Sequence, residues 1–181
     1  RAAFRVVSRL GDGAFWYALM LALLLRFGAA ALDSVLHMIT SGLVCTAIYK
    51  LLKVRFSRPR PYQVHPDVTV HAAPLDQFSF PSGHTLHAVT FSLVALAYHP
   101  WLAPLLVPVT LLIAASRVVL GLHYPSDVLV GAMIATAMSA NVFFWIIPGQ
   151  RTVVAAIKAG QPVDPIHGFR GKQRSVHNTY F

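Results

Sequence analysis

Apolar positions fall into five long runs separated by short polar joints. Residues 14–32 form the first run; about 19 residues at ~1.5 Å each nearly cover a ~30 Å hydrocarbon layer. Trp16 and Tyr17 suit one membrane interface, and Arg26 can snorkel toward the other. Asp33-Ser34 reads as a turn and N-cap for a second run, 34–52, whose Ser41, Gly42 and Ala47 permit close helix packing. His37 in that run is expected at a helix contact. Residues 85–98 form the third run and 101–116 the fourth, with Pro104 and Pro108 shaping its first turns. Pro125 suits the first position of a fifth helix over 126–147, which carries small residues at Gly131, Ala132 and Ala135.

The pattern predicts an all-α, polytopic membrane helix bundle of about five spans, with short interfacial helices. Residues 1–150 are expected to form the membrane-embedded domain and 151–181 a basic C-terminal tail. Ahead of the first span, Arg1, Arg5 and Arg9 recur at four-residue spacing. They fit an amphipathic helix on the membrane surface or the stump of a longer helix, closed by a turn at Gly11-Asp12-Gly13. Beyond Pro148 a short helix is expected over 152–159 and a mobile, aperiodic tail over 161–181.

Composition agrees. Hydrophobic residues make up 56% of the 181 and charged ones only 12%, against about 25% charged in soluble domains. The formal net charge of +9 fits anionic lipid headgroups or an anionic substrate. Nucleic acid is not an expected partner, because the cations are scattered among membrane segments. The single cysteine, Cys45, lies in an apolar run; it excludes an intrachain disulfide and any multi-cysteine metal site.

Polar residues interrupt the grease in three places. Lys50, Lys53, Arg55, Arg58 and Arg60 form a basic burst closed by Pro59 and Pro61; it reads as a positive membrane flank or as an anion site. The loop 62–80 that follows carries His65, Asp67, His71 and Asp76. It matches no metal-ligand spacing and reads as solvated loop or substrate rim. Pro81-Ser82-Gly83-His84 opens the third apolar helix. Ser82 can cap it, free N–H groups then point out of a positive helix end, and Gly83 lets an anion approach. Ordinary capping explains the same residues, and His87 one turn on adds little case for a metal. The third place is Ser116-Arg117 through His123 to Asp127. Arg117 and Asp127 read as a structural ion pair with His123 as an interfacial histidine. Alternatively, Asp127 orients His123 so that its other nitrogen is nucleophilic, while the planar fork of Arg117 holds an anion in front of it. With five spans, the ends of the second and fourth and the starts of the third and fifth face one side. Lys53, Arg60, His84, Arg117, His123 and Asp127 are therefore expected at a single membrane face.

These residues resemble the signature of the type 2 phosphatidic acid phosphatase superfamily. Its three parts are Lys, six residues, Arg-Pro (Lys53 to Arg60-Pro61); Pro-Ser-Gly-His (Pro81 to His84); and Ser-Arg, five residues, His, three residues, Asp (Ser116-Arg117, His123, Asp127). The resemblance implies that Lys53, Arg60, Arg117, Ser82 and the Gly83 backbone hold phosphate oxygens. His123 would be the nucleophile, forming a phosphohistidine, with Asp127 orienting it. His84 would protonate the leaving oxygen and then help activate water. Lys53, Arg60 and Arg117 less Asp127 leave a charge of about +2, near that of a phosphate monoester dianion, so neither metal nor other cofactor is expected.

The family's usual core has about six spans, so a helix ahead of the first span is expected to be absent from this sequence. The expected substrate is a lipid phosphate or diphosphate of the undecaprenyl diphosphate, phosphatidylglycerophosphate, phosphatidic acid or lipid A type, with its chains entering near the third and fifth spans. Counting cations alone puts the active face in the cytoplasm. The resemblance favours an extracytoplasmic face of a bacterial inner membrane. The alternatives are a lipid-to-lipid phosphotransferase using the same His123, a vanadate-dependent haloperoxidase, and a non-catalytic membrane protein.

Overall fold

The computed structural model describes residues 2–180, and of residues 145–147, 150, 174, 175 and 177–180 the backbone alone. Arg1 of the N-terminal arginine pattern and Phe181 of the tail lie outside the described residues. All described elements are helical, as the apolar pattern requires. Among the described residues, three stretches are long and apolar enough to cross a membrane by length and composition: Ala2–Val64, Pro100–Val119 and Pro125–Phe144. The chain divides into two compact units, 1–135 and 136–181.

In the first unit, helix α1 (Ala2–Arg9) leads through a π-helical turn, Leu10–Ala14, into α2 (Phe15–Phe27). Gly28, at φ +56°, takes a conformation that an L side chain resists, and it turns the chain back into α3 (Leu32–Phe56). Helix α3 stops at Ser57, where φ is +44°, and Pro61 opens the single-turn α4 (Pro61–Val64). After the 65–82 connection come α5 (Gly83–Tyr98), a 3₁₀ turn at Pro100–Leu102, α6 (Ala103–Val119) and α7 (Pro125–Asn141), of which residues 125–135 belong to this unit.

Helices α2, α3, α5, α6 and α7 are largely apolar all round, so Leu21, Leu25 and Leu111 stay exposed, as a lipid-facing surface requires, while polar contacts stitch the inner faces. Between α3 and α5, Thr46 Oγ1 meets His87 Nε2 at 3.0 Å and Cys45 Sγ meets Thr90 Oγ1 at 3.2 Å. Between α5 and α6, Ser92 Oγ meets Thr110 Oγ1 at 2.6 Å. At one end Ser34 meets His99 at 3.2 Å, His37 meets Tyr98, and Phe27 stacks on His99. At the other end lie the motif residues.

Helix α1 packs on α6, with Ser8 buried and Arg5 and Arg9 exposed, the two-faced pattern that its arginine spacing suggests. Two expectations are corrected. The second span starts before the Asp33-Ser34 cap, because Ser34 turns its hydroxyl back to Ala31 O at 2.9 Å. In the second unit, α8 (Ile147–Lys158) is followed not by an aperiodic tail but by α9 (Pro165–Tyr180). Pro165 at its first position and Asp164, which accepts from Ile166 N at 2.9 Å, start that helix.

Candidate active site

Each motif reaches the site by a local device. Lys53 sits one turn before the α3 terminus. Arg60 is held at the α4 N-cap, where its backbone N donates to Gln63 Oε1 at 2.8 Å. Ser82 caps α5 by accepting from Thr85 N at 3.5 Å. Its own N–H donates to Asp127 O at 3.0 Å, tying the α5 start to the first turn of α7. Arg117 ends α6, and its carbonyl accepts from the N–H groups of Leu122 and His123, both at 3.1 Å. That loop aims His123 inward from between two helices. Lys53, Arg60, Ser82, Arg117, His123 and Asp127 are buried; Gly83 and His84 are half-buried.

Lys53, Arg60, Gly83, His84, Arg117 and His123 line one cavity of about 760 Å³. Ser82 and Asp127 lie behind its wall. Arg60 Nη1 stands 3.4 Å from His123 Nε2 and donates to Leu122 O at 2.7 Å. His123 Nδ1 lies 3.6 Å from Asp127 Oδ2, within ion-pair reach but longer than a hydrogen bond, and has no hydrogen-bond partner. Asp127 is fixed instead by Tyr124 N at 2.9 Å and by Arg58 Nη1 at 2.8 Å. Arg58 also stacks over Tyr124 with 4.0 Å to the ring centroid. The Arg117–Asp127 pairing that the sequence left open is therefore not formed; Arg117 Nη1 donates to Ser8 Oγ, and its Nε is buried without a partner.

Burial lowers the pKa of His123 from 6.5 to about 4; Asp127 opposes this, and the charges of Arg117, Arg60 and Lys53 add to it. The imidazole is thus neutral at ordinary pH, with Nε2 facing the cavity wall that Arg60 shares.

Sequence reasoning missed four partners. Asp76, read as solvated loop or rim, accepts at Oδ1 from Lys53 Nζ at 3.0 Å and from Arg60 Nη2 at 2.7 Å. Burial alone raises its pKa, but Lys53 and Arg60 outweigh that and hold it below the ordinary carboxylate value. Asp12, read as part of a turn, pairs with His84 Nε2. Ser8 holds Arg117, and Arg58, counted only in the basic burst, holds Asp127. The cavity runs along α3 past Thr46 to Leu43 and Ile39, between Trp16 and Met20 of α2 and Phe91 of α5, and no residue of α7 lines it.

The chain is 34% identical to the undecaprenyl-diphosphatase BcrC of Bacillus subtilis over 131 residues, 71% of this chain and 66% of that protein. It shares the fold of the first transmembrane PAP2 type phosphatidylglycerolphosphate phosphatase from Bacillus subtilis, with TM-score 0.58 and 23% identity over 74% of this chain and 70% of that one. Aquifex aeolicus LpxE superposes with TM-score 0.63 at 30% identity, covering 76% of this chain and 83% of that one. The chain belongs to the type 2 phosphatidic acid phosphatase superfamily.

It spans about a third to two thirds of the length of the curated relatives it matches. Residues 91–181 also match the family described as Urate oxidase N-terminal. That stretch holds Arg117, His123 and Asp127 but leaves out Lys53, Arg60 and Pro81-Ser82-Gly83-His84. Membership of the phosphatase superfamily accounts for all three motifs and for their convergence on one cavity in an integral membrane protein.

Proposed function

We propose that the protein is a membrane phosphatase that hydrolyses a lipid phosphate or diphosphate through a phosphohistidine, without a metal. The carrying observation is the cavity: three motif segments place their cations and both imidazoles around its polar end, and its apolar end runs along α3. A headgroup sits among the cations while its chain lies between α2, α3 and α5.

In the first step His123 Nε2 attacks phosphorus. The bond to the lipid oxygen breaks with its electron pair, and His84 donates a proton to that oxygen. Lys53, Arg60 and Arg117 carry the charge spread over the equatorial oxygens, helped by N–H groups at the α5 terminus. The unpaired Nε–H of Arg117 is a donor for one of those oxygens. Asp127 steadies the charge that develops on His123. In the second step His84 takes a proton from water, the hydroxide attacks phosphorus, the P–N bond breaks and inorganic phosphate leaves. The carboxylates Asp12, Asp76 and Asp127 are each engaged with a different cation or imidazole instead of converging on one point, which fits chemistry driven by fixed protein charges. We place the site on the extracytoplasmic face of a bacterial inner membrane.

The test is phosphate release in detergent from undecaprenyl diphosphate, phosphatidylglycerophosphate and phosphatidic acid. Wild type is expected to release phosphate from at least one of them, in EDTA as well as without it, and His123→Ala to retain under a few per cent of that rate. A fully active His123→Ala removes the nucleophile assignment. Activity abolished by EDTA and restored by magnesium removes the metal-free one.

A further inference from the structure

The second histidine has a carboxylate of its own. Asp12 Oδ1 pairs with His84 Nε2, although 72 residues separate them in the chain. The segment that carries Asp12 is built against the site. Ser8, one helical turn earlier, is buried and accepts from Arg117. Gly11 lets the π-helical turn lie on the His84 ring and on α6 together: a Cβ there would stand 3.3 Å from the ring and 3.1 Å from Ile113. Asp12 and His84 both line the cavity. None of these N-terminal residues belongs to the three motifs.

We propose that Asp12 is the positioning residue of His84. The inference rests on the phosphatase reading, in which His84 handles the leaving-group proton. With Nε2 engaged by Asp12, Nδ1 is the ring nitrogen left for the substrate. The imidazolium gives its Nδ1 proton to the lipid oxygen as the P–O bond breaks, and Asp12 holds the ring in that orientation. In the second step the neutral ring takes a proton from water at the same nitrogen, so the carboxylate keeps one tautomer through both steps. The site thus carries two His–Asp pairs: His123–Asp127 for the nucleophile and Asp12–His84 for the proton.

The two roles separate by leaving group. An alkyl phosphate needs its oxygen protonated as it departs; p-nitrophenyl phosphate, with an acidic leaving phenol, does not. Asp12→Asn is expected to lower kcat on a lipid alkyl phosphate about 10- to 100-fold with KM little changed, and to lower turnover of p-nitrophenyl phosphate far less. His84→Ala should show the same selectivity, and the double variant should be no worse than His84→Ala alone. Asp12→Glu, which keeps a carboxylate, is expected to retain part of the alkyl-phosphate rate. Equal losses on both substrates, or losses that multiply in the double variant, would overturn the assignment and make Asp12 a structural residue. A wild type inactive on both substrates, with intact fold, would instead remove the phosphatase reading beneath it.

Discussion

Asp76 changes the electrostatics that the motifs alone imply. Lys53, Arg60 and Arg117 less Asp127 sum to +2; Asp76 takes the sum to +1, Asp12 to zero, and Arg58 returns it to +1. Asp76 Oδ1 binds Lys53 and Arg60 at 3.0 and 2.7 Å. On the proposed function, a dianionic headgroup competes for these two cations with a carboxylate already in place. Asp76→Asn keeps the shape and removes the charge, so inhibition by inorganic phosphate is expected to tighten about tenfold, or ~1.4 kcal/mol. Weaker inhibition would mean that the carboxylate is needed to hold Lys53 and Arg60 in position. The motif residues were legible because each motif is a short run with fixed spacing and recognisable chemistry. Asp76 and Asp12 were not, because a lone aspartate in a polar loop or a Gly-Asp-Gly turn carries no local sign of its partner. Their pairings, 16 to 72 residues distant, exist only once the helices pack.

Helices were readable from apolar run length, and two joints from Pro61 and Pro125, whereas the joint at Gly28 lay unmarked inside the first run. What stayed hidden was which helix touches which. Arginines every four positions give residues 2–9 one exposed face, but nothing in them announces that the turn carrying Ser8 docks on α6 through a bond to Arg117. The α5–α7 contact depends on a residue that the sequence offered only as one small position among several. A Cβ on Gly131 would stand 2.9 Å from Ser82 O and 3.6 Å from Ser82 N, both backbone atoms that cannot swing aside. This is also where Ser82 N donates to Asp127 O. Gly131→Ala is therefore expected to push α7 off the α5 terminus, costing about 1–3 kcal/mol. The variant should melt earlier in detergent and lose activity by moving Asp127 away from His123. Gly28→Ala is the control. It has open space at its Cβ but a positive φ, so it should lose stability through backbone strain without a selective loss of turnover. Unchanged melting in Gly131→Ala would show that the α5–α7 contact gives at no cost.

At the scale of the membrane-embedded unit, alternation of the helices decides the architecture. The ends of α3 and α6 and the start of α5 meet at the cavity, with the first turn of α7 tied to the start of α5, while Phe27, Ser34, His99 and Trp101 gather at the other end. Which end faces the cytoplasm is harder to read from charge. Of the site-end cations, Lys53, Arg60 and Arg117 line the cavity and Arg58 is bound to Asp127, so four positives serve the site and do not report orientation. A lipid phosphatase working on the extracytoplasmic face predicts a definite labelling pattern. Cys45 is buried and stays silent to reagents. Asp67 is exposed in the site-end connection, and Trp101 is 62% exposed at the far end. In intact cells a membrane-impermeant maleimide is expected to label Asp67→Cys and to leave Trp101→Cys unlabelled until the membrane is opened. The reverse pattern would turn the protein over and give it a cytoplasmic substrate pool, with the chemistry of the cavity unchanged. The orientation is thus tested separately from the mechanism, because the cavity's geometry is the same whichever leaflet it opens on.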